Sequence, residues 1–301
     1  MHICRFNQDR LGVVEGDTVF DVSDSLDVLP APAWPYPKGD PLLVHFDALR
    51  DAIERSKPNA PSHAVGDVAL NSPITAPSKV MAAPANYALH VSIDAQDPAI
   101  HQGLHNKQLE GVDRPVDKFG LFLKSGSAIA GPSEGIRIHW PDRRNDHEVE
   151  LVLVIGRGGK NIPEERALEH VAGYIVGIDV TVRGTEDRSY RKAADSYALL
   201  GPWLTTADEI DDPMNLEFWL DVNGERRQKS SSAAMTVPIP ELIAMASRVY
   251  ELFPGDVLMT GTPEGVSEIR AGDTLRAGCE KIGEMTFGVT DAATGIDSAA
   301  A

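Results

Sequence analysis

Cysteine is nearly absent: Cys4 and Cys279 are the two in 301 residues. Two thiols so far apart make neither a disulfide framework nor the close spacing of a zinc site. A reducing, cytoplasmic setting is the expectation. Long apolar runs are missing too. No stretch approaches the ~20 residues of a membrane helix, and the opening MHICRFNQDR carries no signal-peptide apolar core. No membrane partner is expected. Basic residues are in deficit, 28 against 45 acidic, for a net charge of −17. So acidic a chain suits a phosphate backbone poorly, and no nucleic acid is expected either. Small anions stay open, because a site can be positive on an acidic protein.

What is present is ordinary for a folded enzyme: 42% hydrophobic and 24% charged residues. The length suffices for one large core or two smaller ones. HICRF and LGVVEGDTVFDVS read as short strands, with Glu15-Gly16-Asp17 as a hairpin turn. LPAPAWPYPKGDP holds five prolines and resists regular structure. In LLVHFDALRDAIERS, helical spacing puts Leu43, Phe46, Leu49 and Ile53 on one face. Residues 1–72 therefore read as a small β-rich N-terminal domain, and 73–295 as a second domain. The second part strings together β-type runs, among them KVMAAP, GIRIHW, VELVLVIG, GYIVGIDVTV and MTFGVT. Between them, PEERALEHVA, with Pro163 in its first turn, and IPELIAMASRVYEL read as helices. VNGE carries the Asn-Gly signal of a tight hairpin. The fold class is α+β and strand-rich, without regular βαβ alternation.

The stretch NDHEVELVLVIG carries the chemistry. Side chains alternate along a strand, so Glu148 and Glu150 share a face that Val152 and Val154 continue. Val149, Leu151, Leu153 and Ile155 line the other face. A strand apolar on both sides is covered on both sides. Two carboxylates at its mouth repel each other and are costly to desolvate, and a divalent cation resolves both problems. GYIVGIDVTVRG carries a third acid, Asp179, in apolar company. Three carboxylates with open positions suit Mg²⁺ or Mn²⁺. The alternative for the glutamate pair is a solvated sheet edge, and the sequence leaves open whether Asp179 meets them.

Six motifs then occur in an order similar to that of the fumarylacetoacetate hydrolase family: NYALH, FLKSGSAIAGP, DHEVELVLVIG, VAGYIVGIDVTVRG, RKAADSYALLGPWL and PGDVLMTGTPEGV. The resemblance covers about residues 75–290, and DVTVRGTEDRSYRK most resembles the hydratase and isomerase branch, with members acting on 2-hydroxyhepta-2,4-diene-1,7-dioate. It implies a mixed β-roll, a Mg²⁺ or Mn²⁺ site on Glu148, Glu150 and Asp179, and a small anionic 2-oxo or β-diketo acid as substrate. Acylpyruvates from aromatic or sugar-acid breakdown are typical. It further implies Lys124 and Lys192 as cations around the developing charge, with Asp195 orienting Lys192. Thr262 and Gly261 would bind a substrate carboxylate, and Arg183 and Tyr87 would contact substrate. Each has a plain alternative: a solvated lysine, a simple turn, a local ion pair, a core tyrosine.

His90 is the candidate base, since imidazole can activate water near neutral pH. In the family's hydrolases a Glu follows this His by three residues; here that position is Ile93. Asp94, one residue on, lies on the same helical face and is the candidate substitute. His101, His105 and Glu110 occupy a following polar stretch that reads as a lid. Three readings stay open: a metal-dependent C–C hydrolase, a decarboxylase or keto–enol isomerase on the same site, and a non-catalytic dicarboxylate binder. A homodimer is the implied assembly.

Overall fold

In a computed structural model of the protein, described at residues 1–90 and 112–292, the strand Val149–Ile155 is buried along its whole length. Its two faces enter two different cores. Val149, Leu151, Leu153 and Ile155 join the larger cluster, while Val152 and Val154 join a second with Ile175, Leu200 and Met259. Full burial of a Val, Leu or Ile side chain is worth about 1.5–3 kcal/mol. The alternation read from the sequence is thus the one the fold uses, and this strand is the anchor of the molecule.

Around it runs a mixed sheet, twelve-stranded among the described residues. Val149–Ile155 pairs antiparallel with Val171–Asp179 on one side and Val257–Met259 on the other. Val171–Asp179 in turn pairs with Ala198–Thr206. The first strand, His2–Phe6, joins the far edge of Ala198–Thr206, with His2 opposite Thr205. The N-terminal strands Arg10–Glu15 and Thr18–Asp21 extend that same sheet. They also keep an apolar cluster of their own, in which Ile3, Leu11 and Val13 pack on Leu49 and Ile53. A separate five-stranded sheet and a three-stranded one complete this strand-rich mixed architecture.

Local expectations from the sequence can be matched one by one. Glu15 pairs with Thr18 across a two-residue turn. Val222 pairs with Glu225, and Asn223 and Gly224 both take positive φ, 51° and 82°, as a primed turn requires. The helix Ile239–Val249 forms as read. The earlier helical run divides at His45 into Pro41–Val44 and Phe46–Ser56, with Leu49 and Ile53 buried on one face. PEERALEHVA differs: Glu164–His170 is a 3-10 helix, and Pro163 precedes it with extended backbone. Ala167 is its one buried residue and Leu168 is largely exposed, so no apolar stripe at α-helical spacing holds it to the core.

No helix among the described residues is long and apolar enough to cross a membrane. Both cysteines are free and buried, and burial pushes each thiol up to about 12. The thiolate is the reactive form. Native protein at pH 8 is therefore expected to leave both thiols unreacted with Ellman's reagent, with two reacting after denaturation in guanidinium. Rapid labelling of either thiol in the native state would show that these sheets do not close over Cys4 and Cys279 as described.

Candidate active site and metal centre

The register of the two central strands builds the site. Val149 stands opposite Ile178 and Glu150 opposite Gly177. One step further, the Asp179 amide donates to the Glu148 carbonyl at 2.8 Å. Side chains opposite each other share a face, so Asp179 arrives beside both glutamates. One carboxylate oxygen from each of Glu148, Glu150 and Asp179 lies within 4.8 Å of the others, and all three residues are buried. The three predicted ligands are therefore together.

Cations crowd this cluster. Lys192 Nζ donates to Glu148 at 2.7 Å and to Asp179 at 2.6 Å. Lys124 Nζ, also buried, donates to Asp179 at 2.5 Å and to the Lys192 carbonyl. Arg183 Nε donates to Asp146 at 2.7 Å and its Nη2 to Glu148 at 3.2 Å. Burial opposes charge on Glu148, but Lys192 and Arg183 outweigh it and hold that carboxyl below the usual range. Burial, then the charge of Asp179, pushes Glu150 the other way, well above it. Burial lowers Lys124, whereas Lys192, equally buried, is raised because Asp179 and Glu148 outweigh its desolvation.

Glu150 is the odd member. Its hydrogen-bond partner is a backbone group, the Gly261 amide at 2.7 Å, and among the described residues it has no ion pair. An acceptor-only carboxylate in that position is under-compensated. Three buried carboxylates converging on one point, one lacking a cation, form a hard, oxygen-only donor set that suits Mg²⁺ or Mn²⁺. The residues present fit such an ion.

The other candidates sort differently. His90, Arg183, Lys192 and Thr262 line one cavity with the cluster, with an empty volume of about 700 Å³. Asn86 pins the segment leading to His90 by donating to the carbonyls of Val237 and Thr260, both at 2.9 Å. Tyr87 lies in the larger core with its ring edge-on to Phe218, and among the described residues its hydroxyl has no hydrogen-bond partner. Gly261 turns out to hold a glutamate through its N–H. Its φ is +97°, and a Cβ there would meet Asn86 Cβ at 2.7 Å, so glycine is required for that approach. Thr262 spends its hydroxyl proton on the Val149 carbonyl at 2.9 Å and accepts from Gln228 at 2.8 Å. Asp195 does not orient Lys192: it is exposed, and the carboxylates of Glu148 and Asp179 hold that lysine instead. Asp94, Ile93, His101, His105 and Glu110 lie outside the described residues.

Sequence reasoning missed three contributors. Asp146 anchors Arg183, and its signal was present, as a third acid at the two-residue spacing ahead of Glu148 and Glu150. Gln228, the buried residue of an otherwise exposed strand, ties the Val149 amide to Thr262. Arg188 lines the cavity beside Phe119 and Phe122.

Residues 69–290 match the family model described as fumarylacetoacetate (FAA) hydrolase, C-terminal. The chain is 49% identical over 289 residues to maleylpyruvate hydrolase of Aquipseudomonas alcaligenes, covering 96% of this chain and 99% of that one. A crystal structure of maleylpyruvate hydrolase from Sphingobium sp. SYK-6, in complex with manganese(II) ion and pyruvate, superposes with a TM-score of 0.79 at 35% identity. It covers 97% of this chain and 99% of that one. At 31% identity and a TM-score of 0.67, 5-carboxymethyl-2-hydroxymuconate delta-isomerase from Mycobacterium smegmatis is also similar, over 97% of this chain and 100% of that one.

Glu150→Gln separates the cluster's function from its stability. The substitution is expected to weaken Mn²⁺ binding by ~100-fold or more in titration calorimetry. It is expected not to lower the melting temperature of the metal-free protein, because it removes a carboxylate that its neighbours repel. Unchanged Mn²⁺ affinity would remove Glu150 from the ligand set.

Proposed function

The chain belongs to the fumarylacetoacetate hydrolase family, and from that premise we propose that it hydrolyses the C–C bond of an acylpyruvate with Mg²⁺ or Mn²⁺ at Glu148, Glu150 and Asp179. The observation that carries this is the buried carboxylate cluster opening on the same cavity as His90 and Lys192. The 49% identity to a maleylpyruvate hydrolase supports maleylpyruvate or a near relative as substrate.

A divalent cation held by the three carboxylates supplies Lewis acidity toward the oxo and carboxylate oxygens of the pyruvate end. His90 takes a proton from water, and the hydroxide adds to the acyl carbonyl carbon. The bond from that carbon to the methylene breaks, leaving its electron pair on the methylene carbon. The proton held by His90 returns there. Pyruvate and a carboxylic acid result, and the acid releases one proton to solvent. Asp94 serves as the partner of His90 in place of the glutamate that Ile93 replaces. Lys192 and Lys124 balance charge around the carboxylates, so that negative charge developing on substrate meets a positive surround. Arg183, Thr262 and Gly261 fix the geometry of the pyruvate end, and Tyr87 shapes the apolar wall behind it.

A second reading has one observation in its favour. Ile93 removes the acid that the family's hydrolases use with this histidine, and decarboxylation or keto–enol isomerisation needs no activated water. The similarity to a delta-isomerase fits that alternative. Assembly as a homodimer, and a cytoplasmic location without membrane or nucleic-acid partners, complete the proposal. The smaller N-terminal unit, residues 1–72, we place as an accessory to the catalytic part.

Incubation with maleylpyruvate and Mn²⁺ is expected to yield pyruvate and maleate in equal amounts, with one proton released per turnover in a pH-stat. Chelator, or Glu148→Ala, is expected to abolish both. Carbon dioxide, or a shifted double bond without cleavage, would establish the second reading instead. His90→Ala is expected to lower kcat by about 10²–10⁴-fold, the usual worth of a positioned base. Wild-type kcat in that variant would refute the assignment of His90.

A further inference from the structure

The cavity holds a cation that the reaction above does not employ. Arg188 opens the short helix Arg188–Arg191. Its acidic neighbour Asp187 is committed to the cap, accepting from the Ser189 amide at 2.8 Å and the Ser189 hydroxyl at 2.6 Å. The Arg188 guanidinium centre lies 5.4 Å from the Phe119 ring centre and 6.0 Å from that of Phe122. Contact of a guanidinium with aromatic rings does not consume its N–H donors.

The neighbouring cations are all engaged. Lys192 serves Glu148 and Asp179, and Arg183 serves Asp146 and Glu148. Arg191 donates to the backbone carbonyls of Glu186 at 2.7 Å and Val182 at 3.2 Å. The Arg188 guanidinium has the two ring contacts, and among the described residues no hydrogen bond or ion pair. Burial already works against its charge. A half-buried guanidinium with its donors unspent is complementary to a carboxylate brought by a ligand, because the planar fork donates to two carboxylate oxygens at once.

Position says which carboxylate. The pyruvate end is taken by the cluster, where Lys192 and Arg183 lie against Glu148. Lys192 Nζ is 5.3 Å from the Phe122 ring centre, and Arg188 meets the same ring from its own helix. A cation of the cluster and the uncommitted one therefore share the Phe122 ring. With the cluster and its own cations serving the pyruvate end, a carboxylate at Arg188 is assigned to the acyl side.

We propose that Arg188 is the specificity residue of this cavity, pairing with a second carboxylate on the acyl portion of the substrate, so that the enzyme favours dicarboxylic over monocarboxylic acylpyruvates. The inference rests on the acylpyruvate reading and assigns the residue that narrows it.

The test compares wild type with Arg188→Gln and Arg188→Lys on maleylpyruvate and acetylpyruvate, with Mn²⁺. The expected result is that the ratio of kcat/KM for maleylpyruvate over acetylpyruvate falls about 10–100-fold in Arg188→Gln, the worth of one charge-assisted pair. Arg188→Lys should recover part of that ratio. A merely structural arginine would lower both substrates together, so an unchanged ratio overturns the proposal. If wild type turns over neither compound, the hydrolase reading fails on its own. Calorimetric affinities for the same two compounds then decide. A dicarboxylate preference lost in Arg188→Gln upholds Arg188, and equal affinities, or no binding of either, overturn it.

Discussion

Everything in this protein answers to one electrostatic constraint: Glu148, Glu150 and Asp179 are buried within 4.8 Å of one another. Like charges so close in a poorly solvated place repel strongly, and each costs several kcal/mol to desolvate. The scaffold meets that cost in two ways. The apolar flanks of Val149–Ile155 and Val171–Asp179 pack into cores on both faces and hold the carboxylates at the cavity. Lys124, Lys192 and Arg183 then offset part of the charge. The compensation is uneven: Glu148 receives two cations, while Glu150 receives a backbone N–H and no ion pair among the described residues. A site built this way is less stable empty than filled, which is what a metal centre requires.

The same constraint explains how much could be read from the sequence. Period-2 alternation is local, so the shared face of Glu148 and Glu150 and the two apolar faces of their strand were legible from a dozen letters. The hairpin turns at Gly16 and Asn223-Gly224 were legible for the same reason, since positive φ has few providers. Asp179 was visible as an acid in apolar company, but its meeting with the glutamates depends on a strand register that no local pattern encodes. Asp195 was misread because the spacing from Lys192 says nothing about what faces that lysine across the sheet. Gly261 was visible in its turn motif, but that its N–H meets Glu150 depends on how distant strands come together. Motifs reveal that a residue matters more readily than they reveal what it touches. Arg188 escaped altogether because its meaning is negative, a charge without a partner, and only coordinates can show that.

The division of labour between rigid and peripheral parts follows. Glu150 and Asp179 sit on two fully buried central strands, and Glu148 immediately precedes the first; many small contacts hold those strands in position. His90 comes from a different kind of place, outside these strands, following Asn86, which is anchored to the Val237 and Thr260 carbonyls. On the proposed reading, chemistry that depends on the ions is insulated from change by these strands, while the base is carried outside them. That arrangement accounts for a family resemblance reaching both a maleylpyruvate hydrolase and a delta-isomerase on one scaffold. On the proposed reading, Ile at position 93 in place of an acid alters whether water is activated and leaves the metal ligands in place.

Substrate selection divides along the same line. The pyruvate end of any acylpyruvate presents the same oxygens, so residues around the carboxylate cluster have little to discriminate. Their own hydrogen bonds, Arg183 to Asp146 and Thr262 to Val149, are spent on holding the cluster's shape. Discrimination must come from the acyl side, where substrates differ in charge and length. An aromatic wall of Phe119 and Phe122 tolerates many acyl chains, since dispersion is undirected. A guanidinium with unspent donors does not, because leaving a half-buried charge unpaired is unfavourable and pairing it is directional. Arg188 therefore converts a general acylpyruvate site into a selective one without touching the reacting atoms.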